Sequence, residues 1–328
     1  MSSKLVTLQD AGQMLKGSKL YLVAGDEKLL RQLPTGKWIG GTIPYFMSEQ
    51  GGVVTQDKVF VTELPDYCQL ADISFYDEKT VSQVYVKTPE NGFSYIILPA
   101  TSSIHASYAM NAPTYKDFAV RPVLGWISGV HLNDLGKITP KVFNGQTGEA
   151  SENKAIVMSV KLPTDRVCDM GIINIFKQGN GDQIEFLEPG FLVKDVLVNG
   201  QKKNFADYLT QNKIDVKNPL VANYGGAMIN VSFQAINDKD KTVSLYAPVF
   251  TGTQYKLAAP IQNYVESFTK NLPQNADQIA CSCNCILNFL YSELEGKKTG
   301  AITGPITFGE VAYQLLNQTM VYLTIQKI

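Results

Sequence analysis

Three cysteines at alternate positions, Cys281, Cys283 and Cys285 in "QIACSCNC", hold three of the chain's five thiols. Such a cluster could ligate a metal, supply a nucleophile, close a disulfide or fill a core. On an extended strand, residues two apart point the same way, about 6.6–6.8 Å from each other. Two thiolates on one zinc, each bonded at about 2.3 Å, must approach within roughly 4 Å. Regular strand geometry keeps them apart, and parallel Cβ vectors oppose a disulfide as well. The expected role is therefore lining of a core or pocket by small groups. The following "ILNFLYSELEG" sets Leu287, Leu290, Tyr291 and Leu294 at helical spacing up to Gly296, with Asn284 as N-cap. Cys285 then stands near a helix start, where a thiol gains acidity, and this keeps a reactive thiol open as an alternative.

The remaining chemistry is sparse. His105 and His131 are the only histidines, so a histidine-assisted nucleophile has two candidate bases. Ser128 in "GWISGVH" sits in G-x-x-S-G, not in the G-x-S-x-G of a nucleophile elbow. A glycine-bearing segment packed against a sheet is the expectation there, with His131, Asn133 and Asp134 on a surface loop. Neither phosphate-cradling glycine motif is present. Arginine occurs only at 31, 121 and 166. Arg121 could clamp a carboxylate bidentately or serve a structural ion pair. Glu310, in the apolar and glycine-bearing "GPITFGEVAY", could receive an ammonium group or bond a neighbouring backbone.

Stepping outward to what must position these groups, 328 residues suffice for two domains, or for one large domain built from two halves. With 45% hydrophobic and 18% charged residues the chain can form a packed core. A formal charge of −1 speaks against nucleic acid, which requires a basic face. The N-terminus lacks the apolar core of a signal peptide, and no apolar run reaches the roughly 18 residues of a membrane span. An odd cysteine count without a secretory signal fits a reducing, cytoplasmic setting.

The first half alternates helices and strands: helix "LQDAGQMLKG", strand "KLYLVAG", helix "DEKLLRQL" started by Asp26, strand "KWIGGTI". "PTDR" at 163–166 marks a boundary. Beyond it, "GIINIFKQ", "GNGD" and "QIEFLEP" read as a hairpin, Asn199-Gly200 as a tight turn, and "MINVSFQAINDKDKTVSLYAPV" as a second long hairpin. The expected class is α/β (mixed α+β), with mixed sheets flanked by helices in two similar-sized halves. An ungapped echo at an offset of 262 faces residues 40–61 with 302–323, aligning Phe46 with Phe308 and Gln56 with Gln318. A real duplication would set two matching elements across a pseudo-twofold, a common place for a pocket.

The C-terminal residues carry a family resemblance. A cysteine-bearing strand entering an apolar helix, then "TGPITFGEVA", then "LLNQTMVYLTI", resembles the C-terminal domain of the FIST family. Phe308-Gly309-Glu310 match its glycine–glutamate segment and Asn317-Gln318-Thr319 its closing turn, with Leu316 where a histidine is frequent. "EFLEPGFLVKDVLVNGQ" is similar to the strand-and-turn opening of that domain. "WIGGTIPYFMSEQGG" and "PVLGWISGVHLND" match the N-terminal domain only in part, and an arginine usual after the cysteine segment is missing from "CNCILNF". The resemblance implies FIST-like domains over 1–165 and 166–328, forming a sensory module in signal transduction. Its ligand would be an amino acid or related metabolite, and its partner a signalling protein or a second copy of the chain.

The resulting expectation is a non-catalytic small-molecule-binding protein, with no cofactor, metal, nucleic-acid or membrane partner. Gly40, Gly41, Gly304 and Gly309 would admit the ligand close to the backbone. Phe46, Phe308 and Cys283 would wall the pocket, Glu310 would meet an amine and Arg121 a carboxylate. The rivals are a thiol enzyme using Cys283 or Cys285 with a histidine, and a ligand-free scaffolding protein.

Overall fold

The computed structural model describes residues 2–224, 226–273 and 278–328. It is a mixed α/β structure with several mixed sheets and short helices. The longest apolar runs become strands buried on both faces: every residue of Tyr21–Gly25, Gly92–Pro99 and Ile279–Cys285 is buried. Asp26 caps the helix Glu27–Leu30 by accepting from Lys28 N, as its position ahead of "EKLL" predicts. No helix among the described residues is long and apolar enough to cross a membrane.

One strand pattern occurs three times. An outer strand is followed by a long strand, a short helix, a second strand parallel to the long one, a hairpin, and a returning antiparallel strand. The first copy uses Ser2–Val6, Tyr21–Gly25, Glu27–Leu30, Trp38–Thr42, the hairpin Tyr45–Ser48/Gly51–Val54, and Val59–Glu63. The second uses Gln69–Tyr76, Gly92–Pro99, Ser103–Asn111, Val123–Ser128, Val142–Asn144/Ala150–Ser151, and Ala155–Lys161. The third uses Arg166–Ile173, Ile279–Cys285, Ile286–Tyr291, Gly304–Thr307, Glu310–Ala312/Gln314–Leu316, and Met320–Lys327. The copies interlock. Each six-stranded sheet takes four strands from one copy and its last two from the hairpin of another. The second copy's hairpin completes the first sheet, the third copy's completes the second, and the first copy's completes the third. The first and third copies do not follow the echo's alignment at offset 262: Thr42 matches Thr307 and Phe46 matches Glu310, offsets of 265 and 264, so Phe46 and Phe308 are not equivalent and the repeat is threefold, not twofold.

The chain divides into two compact units, and the division does not follow halves at residue 165. The first unit comprises Met1–Ile173, Thr269–Leu315 and Met320–Ile328, more than twice the size of the second, Asn174–Phe268 with Leu316–Thr319. All three copies are built essentially within the first unit, and the second unit interrupts the third copy in sequence. The hairpin expected from "GIINIFKQ" and "QIEFLEP" does not form. Arg166–Ile173 pairs instead with Met320–Lys327, while Ile184–Phe186 pairs with Asp195–Val198. In the second unit, Asn199 and Gly200 make the expected two-residue turn, both at positive φ, between paired Val198 and Gln201. There the "NQT" residues are structural: Ser232 Oγ donates to Gln318 Oε1 (2.7 Å), Asn230 Nδ2 to Asn317 O (3.1 Å), and Gln318 Nε2 to Lys217 O (3.1 Å).

Candidate functional site

The alternate cysteines lie on a buried strand as expected. Cys283 Sγ donates to Gly125 O at 3.3 Å. Burial pushes its thiol well above the ordinary range, and the nearby Glu310 carboxyl adds to the shift. Burial raises Cys281 as well. The N-cap falls one residue later than the sequence suggests: Cys285, itself buried, caps Ile286–Tyr291. Asn284 Oδ1 instead accepts from Cys285 N (2.8 Å) and Asn288 Nδ2 (3.0 Å). The helix stops at Tyr291, before the expected Gly296.

Several of the expected ligand residues do come together, but protein occupies the space beside them. A Cβ on Gly41 would lie 2.7 Å from the Trp126 ring and 2.8 Å from Ile97. One on Gly40 would meet Val23 O at 2.9 Å, and one on Gly304 Ser282 O at 2.4 Å. Phe308 covers Gly129, whose Cβ would fall 2.3 Å from the ring. Gly309, at φ +153°, turns its carbonyl to accept from Ile127 N (2.9 Å). Phe46 is fully buried and stacked on Phe60, centroids 5.8 Å apart. Gly41 lets two sheets approach, while Gly40 and Gly304 crowd the neighbouring strand of their own sheet, which is a packing role.

Glu310 is fully buried, with Thr307 Oγ1 3.3 Å from its Oε1. Arg121 is not brought to it. Its guanidinium pairs with Glu90 at 3.0 Å. Arg121 lies five residues before Trp126, the register partner of Glu310, or roughly 16 Å along an extended chain. The threefold pattern shows how unusual Glu310 is. The second strands end in register at Gly25↔Thr42, Pro99↔Ser128 and Cys285↔Thr307. Two residues before those ends, Gly40 faces Phe143, Pro305 faces Phe46, and Trp126 faces Glu310. Two copies therefore put phenylalanine where the third puts a buried glutamate.

The open site lies elsewhere in the first unit, where the copies differ in length. Two residues separate Thr42 from the hairpin strand at Tyr45, and two separate Thr307 from Glu310; between Ser128 and Val142 the second copy inserts residues 129–141. This insertion begins with His131, which caps the single turn Leu132–Asp134: its Nδ1 accepts from Asn133 N at 3.2 Å. The imidazole stacks on Tyr45, and Tyr45 Oη accepts from Leu132 N at 3.0 Å. The insertion ends at Lys141, whose N donates to Thr42 Oγ1 (2.9 Å) and whose Nζ donates to Glu27 Oε2 (2.8 Å).

Between this segment and the first copy lies a cleft of about 230 Å³, lined by Asp26, Thr42, Ile43, His131, Asp134 and Ile138 among others. It sits at the carboxyl ends of the parallel strands Tyr21–Gly25 and Trp38–Thr42. Of its charged groups, Asp26 is satisfied by Lys28 N (3.0 Å) and Gln56 Nε2 (2.9 Å). Burial works against the charge of Glu27, but hydrogen bonds from Lys141 and Arg31 outweigh it and hold this carboxyl below the usual range. Lys28 Nζ lies 3.6 Å from Asp57. Among the described residues, the Asp134 carboxylate and His131 Nε2 enter no hydrogen bond or ion pair. Because Nδ1 accepts a backbone N–H, the neutral imidazole carries its proton on Nε2 and presents a donor. The site thus offers one donor and one carboxylate against mostly apolar walls.

Sequence reasoning placed His131 and Asp134 on a surface loop and missed the cleft. The signal for it is the extra length of 129–141, which shows only once the three copies are aligned. Compared with known proteins, residues 6–326 match the model described as "Family of unknown function (DUF6976)". No curated protein and no solved structure matches the chain.

Proposed function

The chain belongs to the family of unknown function DUF6976, and we propose that it is a small-molecule-binding protein of sensory type, without catalytic chemistry, whose ligand occupies the cleft beneath residues 129–141. The observation that carries this reading is that the cleft is walled by residues 129–141, thirteen residues where the other two copies have two. Packing of the three copies requires no such segment. Ligand sites in open α/β sheets favour the carboxyl ends of parallel strands, where this cleft opens. The FIST resemblance favours the same class of protein, with its signal passed to a protein partner or a second copy. The thiol-enzyme alternative on Cys283 or Cys285 is weakened at Cys283, where burial disfavours the thiolate.

The test is a thermal-shift screen of metabolite-sized compounds against the protein and its Ile138→Trp variant, which fills the cleft from a half-exposed position. A compound present at 100 times its dissociation constant should add about 2.7 kcal/mol to stability. Shifts that disappear in the variant support the cleft. Shifts that persist place binding elsewhere and overturn the reading.

A further inference from the structure

Resting on that reading, we propose that the ligand is a compact apolar amine carrying an uncharged acceptor, such as an amino alcohol, and not an amino acid. Of the cations around the cleft, Lys141 and Arg31 hold Glu27 from outside the lining, and Lys28, which lines it, is exposed and lies 3.6 Å from the exposed Asp57. Asp26 has both oxygens in use. What remains for a ligand is the Asp134 carboxylate and the His131 Nε2–H donor, with Ile43, Pro44, Val130 and Ile138 as walls. An ammonium group matches Asp134 and an uncharged oxygen matches the imidazole N–H, while the apolar body displaces water from the walls. A ligand carboxylate finds only the exposed Lys28, already facing Asp57, and is repelled by Asp134. The volume of about 230 Å³ is below the roughly 300–1,000 Å³ of drug-sized sites, so the ligand is small.

Leucinol, leucine and 4-methylpentan-1-ol form a matched set. Relative to leucinol, leucine replaces the hydroxymethyl group by a carboxylate, and the alcohol lacks the amine. Titrated by NMR into the full chain, leucinol should bind at least about tenfold more tightly than either. Asp134→Asn should reduce leucinol to the level of the alcohol, whereas Glu310→Gln should leave it unchanged. Leucine binding as well as leucinol, or leucinol unaffected by Asp134→Asn, overturns the amine assignment. If leucine binds and Ile138→Trp abolishes it, the cleft stands and only the ligand class falls. If none of the three binds, the ligand class falls and the cleft reading still rests on the screen; if binding survives Ile138→Trp, both proposals fall.

Discussion

His131 stacks on Tyr45, with ring centroids 5.8 Å apart and planes 18° from parallel. The contact joins the inserted segment of the second copy to the hairpin of the first, and the hydrogen bond from Leu132 N to Tyr45 Oη reinforces it. Tyr45→Phe keeps the ring and removes the acceptor. It should lower stability by about 1 kcal/mol and weaken leucinol binding severalfold, as read by chemical denaturation and NMR titration. Unchanged affinity with the stability loss in place would show that this anchor does not position the cleft.

The close approach at Gly41 leaves no room for a methyl group, because Trp126 and Ile97 both lie under 3.0 Å from its Cβ position. Gly41→Ala should destabilise the protein by about 2 kcal/mol, visible as a lower denaturation midpoint at unchanged slope. A neutral effect would mean that this interface yields easily.

Phe46, Phe143 and Glu310 share one register position in three copies. Glu310→Phe should therefore fold, whereas Phe46→Glu buries a new carboxylate and should cost about 4 kcal/mol or more. Circular dichroism and thermal melts of the two variants decide it. Equal tolerance of both, or loss of folding in Glu310→Phe alone, would argue against the equivalence.

The thiols should be inert in the native protein. Burial raises Cys168 to about 11 and Cys68 to about 12, and raises Cys281 and Cys283 as well. Iodoacetamide at neutral pH should label these four slowly in the native state and rapidly in denaturant. Fast native labelling of Cys283 would revive the thiol-enzyme alternative.

Burial also lowers His105 to about 4, against roughly 6.5 for an unfolded histidine. Between these values the unfolded chain binds more protons, so the contribution of His105 is full above about pH 6.5 and is lost as pH falls toward 4. The loss should approach roughly 3 kcal/mol. His105→Gln should flatten the stability profile across this window; an unchanged profile would assign the acid sensitivity to other groups.

Local signals in the sequence carried well into the structure. Asp26 caps its helix, Asn199-Gly200 turns its hairpin, and the alternating cysteines form a strand. Each depends on neighbours within a few residues. The long-range pairings did not show: Arg166–Ile173 finds its partner at Met320–Lys327, and each hairpin leaves its own copy for another sheet. Such exchange leaves no periodicity to read. The echo at offset 262 set Phe46 against Phe308, whereas the strand register sets Phe46 against Glu310, so its few identities did not mark equivalent positions. The insertion at 129–141 made His131 and Asp134 look like ordinary loop residues. Glycine clustering located the close contacts around Cys283 and Glu310 but could not tell a ligand from a neighbouring sheet.

The most direct measurement of the central claim uses isoleucine methyl NMR during a leucinol titration. Ile43 and Ile138 line the cleft, whereas Ile306 lies beside Thr307 in the buried frame around Glu310. The account predicts saturable shifts at Ile43 and Ile138 with Ile306 still. Shifts at Ile306, with Ile43 and Ile138 silent, would contradict it.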